Sequence, residues 1–180
     1  MSSDLQTIQN RLYDMIRDNT PVRPDDPAYI QEVAGTPNLA LLREISNWWI
    51  GYNLETYCPY THKLMRRLDV WYSTLEAHMY TGINEHHIPT LGDRFLGLMD
   101  SHEHPMVAAM ARFERALKRV KRGSQEEYTS EWQHNPYALL AAVIDDSPLE
   151  DVSEGAFQTV VSHAIEGLFT VYALEQTEGA

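Results

Sequence analysis

Beyond Arg122 this chain contains no lysine and no arginine. Residues 1–122 hold all 14 basic residues against 15 acids, a net of −1, whereas residues 123–180 hold 11 acids and no base, a net of −11. So negative a molecule is opposed to general binding of nucleic-acid phosphate, which leaves at most a local basic helix for that purpose. Cysteine is almost missing: Cys58 stands alone, which rules out an internal disulfide and a cysteine-based zinc site and points to the cytoplasm as the simplest compartment. No run approaches about 18 apolar residues, so no transmembrane helix is expected. The N-terminus, MSSDLQTIQNRLYDMI, mixes both charge signs and lacks the basic-then-apolar order of a signal peptide. There is no Gly-x-Ser-x-Gly elbow, no glycine-rich phosphate loop, no internal repeat and no low-complexity segment.

What is present is a substantial apolar content, 43% of residues, enough for a real core. Its spacing is mostly helical. Leu5, Ile8, Leu12, Met15 and Ile16 predict a helix near 4–18, which ends in a proline- and aspartate-rich loop over 20–27. A short helix near 27–34 follows. Asn38 is the expected N-cap of a long helix, 39–57, whose load of Leu42, Ile45, Trp48, Trp49, Tyr52 and Tyr57 marks it as a central, mostly buried element. Pro59 suits the first turn of the next helix, which runs through Leu64, Trp71 and Met79 to Gly82 and Asn84 with a kink near Asp69. Further helices begin at Ile88-Pro89 and at His104-Pro105, and the second closes at Gly123. Another, over 136–144, is entered at Asn135-Pro136.

The end of the chain is different. Residues 156–162 and 168–174 are rich in β-branched and aromatic side chains and flank a connector, 163–167, that contains Gly167. They predict an antiparallel hairpin, with a single amphipathic helix over 153–175 as the competing reading. The fold class is therefore mainly α, with a helical part over 1–123 and a smaller α+β segment, 124–180, packed on it.

Three groups of residues carry candidate chemistry. Arg112, Arg115, Arg119 and Arg122 recur at three and four residues and share a helix face, apart from Phe113, Leu117 and Val120. They are either a solvated face neutralised by acids of the tail or a docking surface for an acidic partner; Glu114 and Lys118 are spaced to form an ion pair. Trp132, read as part of a loop, is a core anchor or an interface residue. Together these five, the four arginines and Trp132, are the candidate partner- or peptide-binding residues. The second group is histidine: His62, His78, His86, His87, His102, His104, His134 and His163. Glu131-x-x-His134 matches one ligand element of di-iron carboxylate bundles, but such bundles need two. A helical metal-dependent oxidoreductase using Glu131, His134 and some of His86, His87, His102 and His104 is thus one alternative. A DNA-binding regulator using the arginine helix is another. The third is Cys58, either a nucleophile with His62 four residues on or a small buried hydrophobe.

The order of several motifs adds a resemblance. It runs Trp48-Trp49, Cys58-Pro59-x-Thr61, Trp71-Tyr72, Ile88-Pro89 before Phe95, His104-Pro105-Met106, Phe113-Glu114-x-Ala116-Leu117, Tyr128, Trp132-x-x-Asn135-Pro136 and a terminal β-like segment. Across roughly 43–175 this resembles the small partner proteins of multinuclear non-haem iron oxidases. Those oxidases modify ribosomally made peptides, as in methanobactin-type and thiaglutamate-type pathways. The resemblance implies a non-catalytic subunit that forms a heterodimer with the oxidase and presents its precursor peptide. It also implies a winged-helix-like element that takes up an extended peptide at a sheet edge. Iron would then belong to the partner enzyme, and this chain would carry no cofactor.

Overall fold

A computed structural model describes residues 2–17, 20–79 and 88–174. Within them lie eight helices: α1 (Ser2–Arg17), α2 (Ala28–Ala34), α3 (Pro37–Tyr57), α4 (Pro59–Arg67), α5 (Trp71–Met79), α6 (Ile88–Met99), α7 (Pro105–Lys121) and α8 (Pro136–Asp145). Three strands, β1 (Tyr128–His134), β2 (Glu154–Val161) and β3 (Phe169–Ala173), form one antiparallel sheet in the order β1-β2-β3. The expectation of a mainly helical chain with a small β element near its end is met, and the helix over 153–175 is excluded by the β2–β3 pairing of Phe157 with Ala173 through Val161 with Phe169. The expected helix end at Gly82 and Asn84 lies outside the described residues.

Helix boundaries follow local chemistry. Asn135 accepts hydrogen bonds on its side chain from the N–H groups of Tyr137 and Ala138, capping α8. Gly123, at φ +100°, lets the Ser124 N–H reach back to the Arg119 carbonyl and closes α7 as expected. Asn38 is not the cap of α3: that position is Thr36, because Pro37 has a φ suited to the first helical turn and no N–H to satisfy. The helix expected over 59–79 is two helices. Asp69 turns left-handed at φ +56° and the Val70 N–H bonds the Met65 carbonyl, which ends α4 and leaves α5 to restart at Trp71.

Trp132 lies on a strand and not in a loop. Tyr128, Ser130 and Trp132 alternate inward against exposed Thr129, Glu131 and Gln133, and β1 pairs with β2 from Tyr128–Val161 to Trp132–Phe157. The inner face of the sheet packs on α7, where the Phe113 ring meets Trp132 at 5.8 Å and Phe169 at 4.9 Å, both edge-on. One apolar core runs from there to Leu54, Leu64, Trp71 and Phe95. A smaller cluster of Met15, Ile30 and Leu39 ties α1 and α2 to α3.

At one point α3 and α6 touch with no room to spare. The Tyr57 ring lies against Gly92, where an added Cβ would fall 1.9 Å from the ring carbon Cδ1. Gly97, on the same helix, faces only the tip of the Arg115 guanidinium, 3.1 Å from such a Cβ. Gly92→Ala is therefore expected to destabilise the fold by about 1–3 kcal/mol. Gly97→Ala should be neutral or slightly stabilising, since a flexible side chain yields and alanine is favoured in helices. Thermal denaturation of the two variants checks the contrast, and equal shifts would refute it.

Candidate interaction surfaces

The arginine stripe of α7 is engaged within the molecule. Arg112 donates to the Asp100 carboxylate at 2.9 Å and to its carbonyl at 3.1 Å. Arg122 makes a two-pronged contact with Asp93, at 2.7 and 2.9 Å. The Arg115 guanidinium packs beside Gly97, and that of Arg119 lies 5.6 Å from the Tyr128 ring centre. Lys118 and Arg122 both overlie Tyr57, whose hydroxyl bonds Asp93 at 3.0 Å. The neutralising acids thus come from α6 and its end, not from the tail as expected. The stripe faces a neighbouring helix, and only the tertiary packing decides which carboxylates it meets. Among the described residues, Asp146 is the one tail carboxylate within 4 Å of a lysine or arginine, 3.7 Å from Arg67. Arg67 also donates to the Ala142 carbonyl at 2.6 Å, which helps to end α8.

Glu114 does not form the expected ion pair with Lys118. It is buried at 1% exposure, and its carboxylate accepts from the N–H groups of Thr61 at 2.9 Å and Tyr60 at 3.3 Å. Those are free donors in the first turn of α4, which has no capping side chain of its own. A residue of α7 therefore caps α4 from across the core, with its negative charge at the positive end of the helix dipole. Burial pushes the Glu114 carboxyl above the ordinary range, against the opposing pull of these hydrogen bonds.

Trp132 is 4% exposed, and its indole N–H donates to Thr159 Oγ1 at 3.0 Å. Its ring is held in the core between sheet and α7, which leaves little of it for a partner. Cys58 is fully buried, and burial drives its thiol upward, away from thiolate formation. His62 stacks edge-on against Trp71 at 4.6 Å, and burial lowers its pKa.

Glu131 and His134 sit on β1 and not on a helix. They do share an open groove of about 890 Å³ with His102 and Arg112, between the α6–α7 turn and the sheet. His102 Nδ1 accepts the His104 N–H at 3.0 Å, closing that turn. Among the described residues, no three His, Cys, Asp or Glu side chains converge as a metal site would need, and His86 and His87 fall outside those residues. No helix among the described residues is long and apolar enough to cross a membrane.

Two further surfaces are open among the described residues. One is the outer edge of β3. The bonds from Ser162 N–H to the Leu168 carbonyl and from Leu174 N–H to the Ala156 carbonyl set the phase of the β2–β3 ladder. In that phase the N–H and C=O groups of Phe169, Val171 and Ala173 point away from β2. The opposite edge, β1, bears the exposed Glu131 and an irregularity between Trp132 and His134, both of which discourage strand addition. β3 has neither. The second open surface is on α3, which is not the mostly buried helix its aromatics suggest. Leu39, Ile50 and Leu54 face the core, but Trp48 is 62% exposed and Trp49, Tyr52, Leu41, Leu42 and Ile45 are also exposed. A helix apolar on all sides reads as buried; here a second apolar stripe on the other side is left uncovered. No protein-family model, curated protein or solved structure was found to match this chain.

Proposed function

We propose that this chain is a non-catalytic partner subunit that docks on an iron-dependent, peptide-modifying oxidase and recruits the precursor peptide. The observation that carries the reading is the open β3 edge, an uncharged strand of five residues, Phe-Thr-Val-Tyr-Ala, fixed to a helical body through Phe169 and Phe113. An extended peptide adds there as a fourth strand, gaining affinity from main-chain hydrogen bonds. The order of motifs across 43–175 supports the oxidase as the partner, and the chemistry then resides in the oxidase and its iron.

Co-expression with an oxidase encoded beside this chain, followed by size exclusion, tests the docking. Strictly separate elution with unchanged oxidase activity would sink it. For the peptide, Val171→Pro removes an outward N–H and no existing ladder bond. It is expected to weaken binding of a labelled precursor peptide by at least about tenfold, the loss of roughly one main-chain hydrogen bond plus the local fit, while circular dichroism stays unchanged. Unaltered affinity would remove β3 from the reading. Stoichiometric iron or manganese in the purified chain, lost on His134→Ala, would instead favour a metal enzyme built around the groove of Glu131 and His134.

A further inference from the structure

We propose that two copies of this chain pair through α3, as an antiparallel, two-fold helix pair. The pairing face is the stripe Leu41, Leu42, Ile45, Trp48, Trp49 and Tyr52. Residues 41, 45, 48 and 52 align along the helix, with 42 and 49 beside them, and none of the six is charged. This is the i, i+3, i+4, i+7 pattern of a helix that packs against another helix.

The stripe has two halves of identical spacing. Leu41, Leu42 and Ile45 repeat seven residues later as Trp48, Trp49 and Tyr52. The first half is aliphatic and the second aromatic. An antiparallel pair centred between Ile45 and Trp48 sets each aliphatic half against the partner's aromatic half, so Ile45 meets Trp48 and Leu41 meets Tyr52. A parallel pair would set the large rings against each other. The surface is therefore complementary to itself, as a two-fold interface must be.

The rings are also ordered before any partner arrives. Trp48 stacks on Tyr52 at 5.5 Å and 12°, and Trp49 meets Trp48 and Tyr52 edge-on at 5.5 and 5.8 Å. Side chains that already hold one another lose little freedom on docking. The area reaches the threshold for a specific contact. Exposures of 49–62% on the three aromatics and 44–54% on the three aliphatics correspond to about 500–650 Å² per copy if the pair covers them fully, taking about 150–250 Å² for a whole aromatic side chain and about 170 Å² for an aliphatic one. Two copies then bury about 1,000–1,300 Å², at the low end for a specific interface, so the expected dimer is a reversible one. The strongly acidic part of the chain lies away from this face. α3 packs on α1, α2, α4 and α6, all within the portion of net −1, and the residues of net −11 begin after α7. Glu44 and Glu55 flank one edge of the stripe, and in the antiparallel pair that edge lies beside its copy. Salt should screen this repulsion and tighten the dimer.

Sedimentation velocity of the intact chain over a wide concentration range tests the proposal. A monomer–dimer equilibrium that strengthens with salt is expected. Ile45→Glu and, separately, Trp48→Glu should each weaken it by at least about 30-fold, the loss of one interface hot spot, with unchanged circular dichroism. A chain that stays monomeric throughout, or a dimer indifferent to both glutamate variants, would overturn the pairing. So would a monomeric chain in which those variants instead abolish oxidase docking, since the face would then belong to the oxidase. The adaptor reading fails separately, by loss of peptide binding at β3 or of co-elution in a chain that still dimerises.

Discussion

Glu114→Ala is expected to lower the free energy of unfolding by about 2–5 kcal/mol, since it strips the acceptors from one buried and one part-buried donor and opens a cavity in the core. The Tyr60 and Thr61 N–H groups sit where α4 begins, and no side chain of α4 replaces the carboxylate. Denaturant melts give the size of the effect, and a loss below about 1 kcal/mol would mean that the α4 cap is dispensable. Glu114→Gln separates charge from hydrogen bonding. Burial raises the folded pKa of Glu114 above its unfolded value. Its contribution is thus fully present below the unfolded pKa and is lost as pH rises through the folded one. The stability difference between the native chain and Glu114→Gln should then favour the native chain most at acid pH and shrink, or reverse, towards alkaline pH. Melts of both proteins at several pH values check the sign, and a difference that grows with pH would contradict it.

Trp132→Ala should cost about 3–5 kcal/mol, the usual range for removing a large aromatic from a core. The indole packs edge-on against Phe113, and its N–H is satisfied by Thr159. Trp132→Phe keeps most of the ring packing and gives up that one hydrogen bond, so it should cost far less. If Trp132 served a partner surface instead, Trp132→Ala would leave the melting temperature unchanged and weaken a complex. The two outcomes divide its roles as core anchor and interface residue.

The elements that could be read in advance were those specified by neighbours in sequence. Asn135 before Pro136 marked the start of α8, Gly123 marked the end of α7, and the β-branched runs on either side of Gly167 marked β2 and β3. β1 is faint in the sequence because its inward residues, Tyr128, Ser130 and Trp132, alternate with three polar ones, so its apolar content is slight. The alternation itself was the available sign, with period two. The interactions across the molecule were not legible in this way. That the four arginines share a face follows from helix geometry; that Asp93 and Asp100 meet Arg122 and Arg112 does not. Glu114 has the helical spacing of an ion pair with Lys118 and is instead a cap for another helix.

By itself the sequence determined most of the helices, the terminal hairpin, and the charge boundary after Arg122, because caps, periodicity and turn residues act over a few positions of chain. Only the tertiary structure decided which faces were covered. α3 carries two apolar stripes, and nothing in its spacing distinguishes them. The packing of α1, α2, α4 and α6 buries Leu39, Ile50 and Leu54 and leaves Trp48, Trp49 and Tyr52 in solvent. Periodicity states which side chains point the same way, whereas burial depends on what else the fold brings to that side.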